Sequence, residues 1–225
     1  MTAADRWREQ LGSWAIPEEI LAAAPEPPWG FASECFRRRG ASGAKLDTPT
    51  TVRALEALPE GGVVLDVGVG GGATSLPLAS RAGLIVGVDA QADMLAGFLE
   101  NAAAAGVRAE AVEGRWPDVA DGVERADVVL AGHVFYNTAD LAPFAGAMQA
   151  HARRRVVAEL TERHPLDWMR DLWLRFHGLE RPTGPSAKDA EAVLRELGYA
   201  VHRDDRTPSA EEGGGGFAAR EGAIS

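Results

Sequence analysis

At 225 residues, with 46% apolar and 25% charged side chains, the chain is long enough for one substantial core and ordinary for a soluble globular protein. Its 23 Lys and Arg against 33 Asp and Glu leave a net charge of −10, which argues against a surface built to bind nucleic-acid phosphates. The single Cys35 excludes an intrachain disulfide, no run reaches the ~18 apolar residues of a membrane span, and the charged first ten residues lack a signal-peptide core, so a cytoplasmic location away from membranes is expected.

Residues 3–14 predict an amphipathic helix with Trp7, Leu11 and Trp14 on one face, and residues 18–24 a second, stopped by Pro25-Glu26-Pro27-Pro28. Trp29, Phe31 and Phe36 follow, a concentration of aromatics that suits a lid over a ligand or, equally, a cap on the core. Residues 1–47 are read as an N-terminal helical extension, 48–204 as the main domain, and 205–225 as a glycine-rich tail in which Phe217-Ala218-Ala219 is a poor candidate for a last strand. Arg37-Arg38-Arg39 and Arg153-Arg154-Arg155, the only basic clusters, read as solvated surface.

Thr48-Pro49 is a helix start, a capping hydroxyl followed by a proline whose missing N–H costs nothing there, and Val52, Leu55 and Leu58 are expected to share the inward face. Val63 to Val67 then reads as a buried strand interrupted only by Asp66. It runs into Gly68-Val69-Gly70-Gly71-Gly72, where absent Cβ atoms permit a sharp turn and let a ligand approach the backbone. Residues 73–80 predict a helix whose free N–H groups would face that turn. Residues 84–89 form a second apolar strand ending in Asp89, and residues 92–105 a helix with Met94, Leu95, Phe98 and Leu99 inward.

A weaker third strand spans 107–112 and leads to Glu113-Gly114-Arg115-Trp116. A fourth spans 127–132 and leads to His133-Val134-Phe135-Tyr136. Thr138 is a candidate cap for the next helix, 156–160 a fifth strand, and Trp168, Met169, Leu172, Trp173 and Phe176 a helical face expected to pack into the core. Ser186 with Asp189 resembles a capping box opening a helix to Gly198, and 199–203 reads as one more strand. Strands alternating with helices predict an α/β fold: a Rossmann-like, doubly wound, mostly parallel sheet of six to seven strands with helices on both faces. Ligands then sit beyond the carboxyl ends of the strands.

By itself Gly68-x-Gly70-x-x-Ala73 is compatible with a dinucleotide fingerprint, Asp89 serving the ribose, as in an NAD(P)-dependent oxidoreductase. The paired stretches Val64-Leu65-Asp66-Val67-Gly68-Val69-Gly70-Gly71-Gly72 and Val86-Gly87-Val88-Asp89-Ala90-Gln91 resemble the class I S-adenosylmethionine-dependent methyltransferases instead. The likeness covers residues 48–203. An acid two residues before the first glycine, inside an apolar strand, is not something a dehydrogenase fingerprint needs, and burying it is costly without partners.

The resemblance implies S-adenosylmethionine as cofactor. Asp66, Gly68, Gly70 and Gly72 would hold its methionine end, and Asp89 with Ala90 its ribose. Glu113, Gly114, Arg115 and Trp116 would flank the adenine, while Gly132 and His133 would face the acceptor. His133 is the candidate general base and Tyr136 the next polar aromatic; His151, His164 and His177 lie farther away.

The stretch after the fourth strand lacks the Asn/Asp-Pro-Pro-aromatic pattern of methyltransferases acting on adenine or glutamine amino groups. There is no Pro-Cys nucleophile and no evident metal cluster. With the negative charge, this points to a small-molecule acceptor and no nucleic-acid partner, in a monomer or homodimer. A module that binds S-adenosylmethionine without transferring methyl is the non-enzymatic alternative.

Overall fold

A computed structural model describes residues 1–24 and 48–206 and the backbone of 221–224. The N-terminal aromatics Trp29, Phe31 and Phe36, Cys35, the Arg37–Arg39 cluster and the strand candidate at 217–219 lie outside the described residues. The strands β1 (Gly62–Val67), β2 (Ala82–Asp89), β3 (Ala109–Glu113), β4 (Ala126–Gly132), β5 (Ala152–Thr161), β6 (Arg203–Arg206) and β7 (Glu221–Ile224) form one sheet in the order β3-β2-β1-β4-β5-β7-β6. The first five are parallel, and β7 is antiparallel to both β5 and β6. Strand order reverses between β1 and β4, so the ligand crevice of such a sheet is expected above these two strands.

Strand alternation divides the core. Leu65, Val67, Val88, Val129 and Ala131 face one side, where α1 (Ala3–Gly12), α5 (Leu141–His151) and α7 (Ala187–Glu196) pack. Val64, Ile85, Val128, Leu130 and Val157 face the other, beneath α3 (Pro49–Ala57) and α4 (Ala92–Ala104). Burying an aromatic or branched aliphatic side chain in these layers stabilises by about 1.5–3 kcal/mol before entropy is counted.

The N-terminal helix is part of the first layer. Trp7 is fully buried, its Nε1 donates to the Thr138 carbonyl at 2.8 Å, and its ring stacks on Tyr136 at 5.6 Å. Thr2 and Asp5 close a capping box at its start. The second helix, α2 (Glu18–Ala23), is short and ends where the proline run begins. The expected caps hold at α3, where Thr48 accepts from Thr51 N–H at 3.1 Å, and at α7, where Asp189 accepts from both Ser186 N–H and Oγ.

Several expectations are corrected. No α-helix follows the glycine turn: residues 73–81 run through turns and one 3-10 turn at Leu76–Leu78. Pro77 explains this, since it has no N–H for a helical bond back to Ala73 and its ring would meet that carbonyl. Val52 and Leu99 point outward, and the buried face of α3 is Thr50, Thr51 and Ala54. Asp140, without a side-chain cap bond, precedes α5, so Thr138 is not its cap.

The apolar face expected to be core, running from Trp168 into α6 (Arg170–His177), is largely open: Trp168, Leu172 and Phe176 are exposed, Phe176 by 68%, while Met169 and Trp173 are half-buried. The strand expected at 199–203 lies at Arg203–Arg206, and a further strand is at Glu221–Ile224. Among the described residues no helix is long and apolar enough to cross a membrane.

Candidate functional site

The glycine turn is bound to the end of β2. Gly68 and Val69 N–H both donate to the Val88 carbonyl, at 2.8 and 3.0 Å, and Gly72 N–H donates to Val69. Gly68, Gly70 and Gly72 have φ of 73°, 51° and 85°, where a Cβ is strained. At Gly68 space is short as well, since a Cβ would meet Val134 Cγ2 at 2.5 Å. The turn therefore packs directly on the chain leaving β4, across the point where strand order reverses.

Asp89 sits at the end of β2, half-buried. Its Oδ2 accepts the Gly70 N–H at 3.0 Å and its Oδ1 the Gln91 N–H at 3.0 Å. A carboxylate has about four acceptor sites, so two remain for a diol. Glu113 stands opposite Asp89 in register on β3, and Gly114 N–H donates to the Asp89 carbonyl at 2.9 Å. Ala90, Glu113 and Arg115 are exposed at this strand-end rim. Trp116 is not part of it: its ring is buried, Nε1 donates to the Phe144 carbonyl at 3.2 Å, and it lies edge-on to His151. Only the backbone of this position adjoins the rim.

Asp66 is 1% exposed, and neither carboxylate oxygen has a hydrogen-bond partner; the buried Ser75 hydroxyl is likewise unpaired. Burial pushes the Asp66 carboxyl up to about 7. The Ser75 hydroxyl is close enough to oppose this without making a well-formed bond, while Asp89 and Glu159 add smaller rises. Three carboxylates, Asp66, Asp89 and Glu159, thus come together towards the ends of β1, β2 and β5, and Asp66 feels the other two.

Glu159 was not among the residues expected from sequence. The signal was present, an acid at the end of an apolar strand, as at Asp66 and Asp89. On β5 it pairs in register with Gly132. His133, the only non-glycine residue of positive φ (58°) among those described, is fastened to it twice. His133 N–H donates to the Glu159 carbonyl at 2.8 Å, and His133 Nε2 lies 3.1 Å from Glu159 Oε1. The other carboxylate oxygen accepts from Thr50 on α3. Burial raises the Glu159 carboxyl, but His133, Thr50 and Arg206 outweigh it and hold it below the usual range.

Tyr136 is displaced from this chemistry. It is buried, its hydroxyl donates to the Thr161 carbonyl at 2.7 Å, and burial raises its pKa. The ring lies between Trp7 and His164. His164 is itself stacked on Trp14 at 3.9 Å, His151 Nδ1 lies 2.7 Å from the Ala147 carbonyl, and His177 ends α6.

Residues 64–156 match a family described as a methyltransferase domain. Over 162 residues the chain is 35% identical to the ubiquinone biosynthesis O-methyltransferase of Azorhizobium caulinodans, covering 68% of this chain and 58% of that relative's length. Magnesium protoporphyrin IX methyltransferase from Synechocystis PCC 6803, solved with bound S-adenosylhomocysteine, superposes with a TM-score of 0.60 at 17% identity, covering 86% of this chain and 94% of that one. A methyltransferase from Aquifex aeolicus superposes with a TM-score of 0.51 at 16% identity, covering 86% and 97%. These structural likenesses are of fold. By its matched sequence and by its sheet, the chain is similar to S-adenosylmethionine-dependent methyltransferases, and residues 64–156 carry the sequence of a methyltransferase domain.

Proposed function

We propose that the protein is a methyltransferase that binds S-adenosylmethionine above β1 and β4 and acts on a small-molecule acceptor. The observation that carries this is the trio of carboxylates at the strand ends, one of them buried and unpartnered. A ligand with an ammonium and a sulfonium is favoured there, whereas the pyrophosphate of a dinucleotide would be repelled by the same charges. The Asp66 carboxyl, having no hydrogen bond of its own, fits such a cationic group.

In this reading Asp66 and the turn of Gly68, Gly70 and Gly72 hold the methionine end, and Asp89 with Ala90 takes the ribose hydroxyls through its remaining lone pairs. Glu113, Gly114, Arg115 and the backbone of Trp116 border the adenine, and Gly132 and His133 face the acceptor. The bound cofactor supplies a sulfonium-activated methyl group. The chain's contribution is alignment and, at His133, acceptance of a proton. Tyr136 serves packing.

A small acceptor agrees with the charge of −10, and two of the similar proteins above carry names of small-molecule methyltransferases. A cytoplasmic location, no nucleic-acid or membrane partner, a monomer or homodimer, and the division at residues 47 and 204 belong to the same proposal.

Thermal unfolding with S-adenosylmethionine, S-adenosylhomocysteine, NAD and NADP tests it. A ligand at a hundredfold its Kd stabilises by about 2.7 kcal/mol, and S-adenosylmethionine and S-adenosylhomocysteine are expected to do so. A response to NAD or NADP alone would overturn the reading in favour of an oxidoreductase. Binding without methyl transfer to any member of a broad panel of hydroxyl, amine and thiol acceptors would favour the non-catalytic module.

A further inference from the structure

The link from α3 through β5 to the turn after β4 does more than add negative charge beside the cofactor, and it is built with care. Thr50 donates to one oxygen of Glu159, and the other oxygen meets His133 Nε2 at 3.1 Å. The Glu159 carbonyl takes the His133 N–H as well, and His133 is held at φ 58°. A non-glycine residue in that region costs on the order of 1 kcal/mol or more and persists where its surroundings over-determine it. Alternation along β5 puts Glu159 on the same side of the sheet as Val157, beneath α3, which is how Thr50 reaches it.

We propose that Glu159, fixed by Thr50, is a positioning residue that sets the tautomer and ring orientation of His133 and equips the site for an acceptor with a proton to lose, a hydroxyl. The inference rests on the reading of His133 as the base. A carboxylate at Nε2 keeps the proton of the neutral ring on that nitrogen and places the basic lone pair on Nδ1. The proton then moves from the acceptor hydroxyl to Nδ1, and its electron pair stays on the acceptor oxygen as the nucleophile. The imidazolium so formed stands beside the Glu159 carboxylate, which offsets its charge. An acceptor that attacks without prior loss of a proton has no use for this arrangement.

Charged groups near the pair include Arg206 on β6, which lowers the Glu159 carboxyl, and Asp66 on β1, whose carboxyl Glu159 raises; α3 contributes the neutral Thr50. All three remain when Glu159 alone is changed. The full chain labelled with 15N-histidine, free of ligand, reports the ring directly. In the parent protein the neutral His133 ring is expected as the Nε2–H tautomer. In Glu159→Gln its titration midpoint is expected to fall by about one unit or more, as for loss of an opposite charge within hydrogen-bond reach. In Thr50→Val, which leaves the site residues intact and serves where the first variant unfolds, the ring is expected to become a mixture of tautomers.

An unchanged tautomer and midpoint in whichever variants fold would overturn the proposal. The acid limb of the pH profile of kcat/KM is expected to move with the midpoint. If the ring responds as described but His133→Asn, whose residue tolerates the same backbone, turns over hydroxyl acceptors as fast as the parent, then the base reading fails while the positioning contact stands.

Discussion

Asp89 closes the glycine turn on itself: its Oδ2 takes the Gly70 N–H at 3.0 Å from nineteen residues away in sequence, while Oδ1 takes the Gln91 N–H. The carboxylate therefore shapes the turn before any ligand arrives, and the two roles are separable. Asp89→Ala removes both and is expected to lower the stability of the unliganded chain by about 1 kcal/mol while abolishing the response to S-adenosylmethionine. Asp89→Asn keeps an oxygen for Gly70 but loses the charge, so the unliganded chain should hold its stability and most of the ligand response should still disappear. Calorimetric titration decides it; an Asn variant that binds as tightly as the parent removes Asp89 from the ribose.

Two buried groups push stability in opposite directions over the same pH range. Burial raises the Asp66 carboxyl from 3.8 to about 7, and burial, with Arg181 adding to it, lowers His164 from 6.5 to about 4. The folded chain holds the Asp66 proton more tightly than the unfolded chain. That contribution is complete below about pH 4 and is lost as pH rises to about 7, up to about 4 kcal/mol. The folded chain resists protonation of His164, so this contribution is complete above pH 6.5 and is lost as pH falls towards 4. It amounts to roughly 2–3 kcal/mol once screening by nearby water is allowed for.

Relative to the parent, Asp66→Asn should gain stability steadily from pH 4 to 7, and should be the more stable chain at pH 8 while binding S-adenosylmethionine less well. His164→Gln, compared in the same way, should gain from pH 6.5 downward. Urea unfolding at fixed pH measures both, and difference curves that stay flat across the window would contradict the assignment.

The strands were legible because a parallel sheet writes long apolar runs, and the acids at their ends stood out against those runs. Asp66 and Asp89 lie where the motifs predict, and the caps at Thr48 and Ser186 are local hydrogen bonds that a few residues suffice to define. What escaped depends on tertiary placement. Helical spacing from Trp168 to Phe176 cannot say whether anything covers the face it makes. Trp116 follows a strand end, but its ring turns back to Phe144 on α5, a contact across 28 residues. Glu159 carried the same signal as Asp66, an acid in an apolar strand, and its meaning came only when β5 was laid beside β4. The missing helix after the turn is different, because Pro77 was in plain view and local stereochemistry alone forbids it.

Gly132 is required by a neighbour rather than by its own backbone. A Cβ there would lie 2.1 Å from Thr74 Oγ1, so the end of β4 and the segment leaving the glycine turn share a space sized for no side chain. Gly132→Ala should cost about 1–3 kcal/mol and weaken cofactor binding by pushing the turn away. Thr74→Ala removes the hydroxyl and methyl that collide, so adding it to Gly132→Ala should recover most of the loss. A double-mutant cycle in thermal unfolding should show coupling of about 1 kcal/mol or more, and strictly additive effects would refute the contact.

Arg181 pins the N-terminal helices to the body. It is 5% exposed, lies between the Trp14 and Trp173 rings at 5.1 Å from each, and donates to the Ala15 and Trp14 carbonyls beyond the end of α1. Among the described residues no carboxylate pairs with it, and burial lowers its pKa. Its stabilising effect therefore comes from flat stacking and from two carbonyls that would otherwise be left unsatisfied. Arg181→Ala should destabilise by about 2–4 kcal/mol, by loss of packing and of both bonds. Arg181→Lys keeps the charge but neither the fork nor the stacked plane, so it should recover less than half of that. Hydrogen exchange locates the effect: in Arg181→Ala the amides of Ser13 to Ile20 should lose protection while those of β1 and β4 keep theirs. A uniform loss across the sheet would mean that this arginine supports the whole core instead.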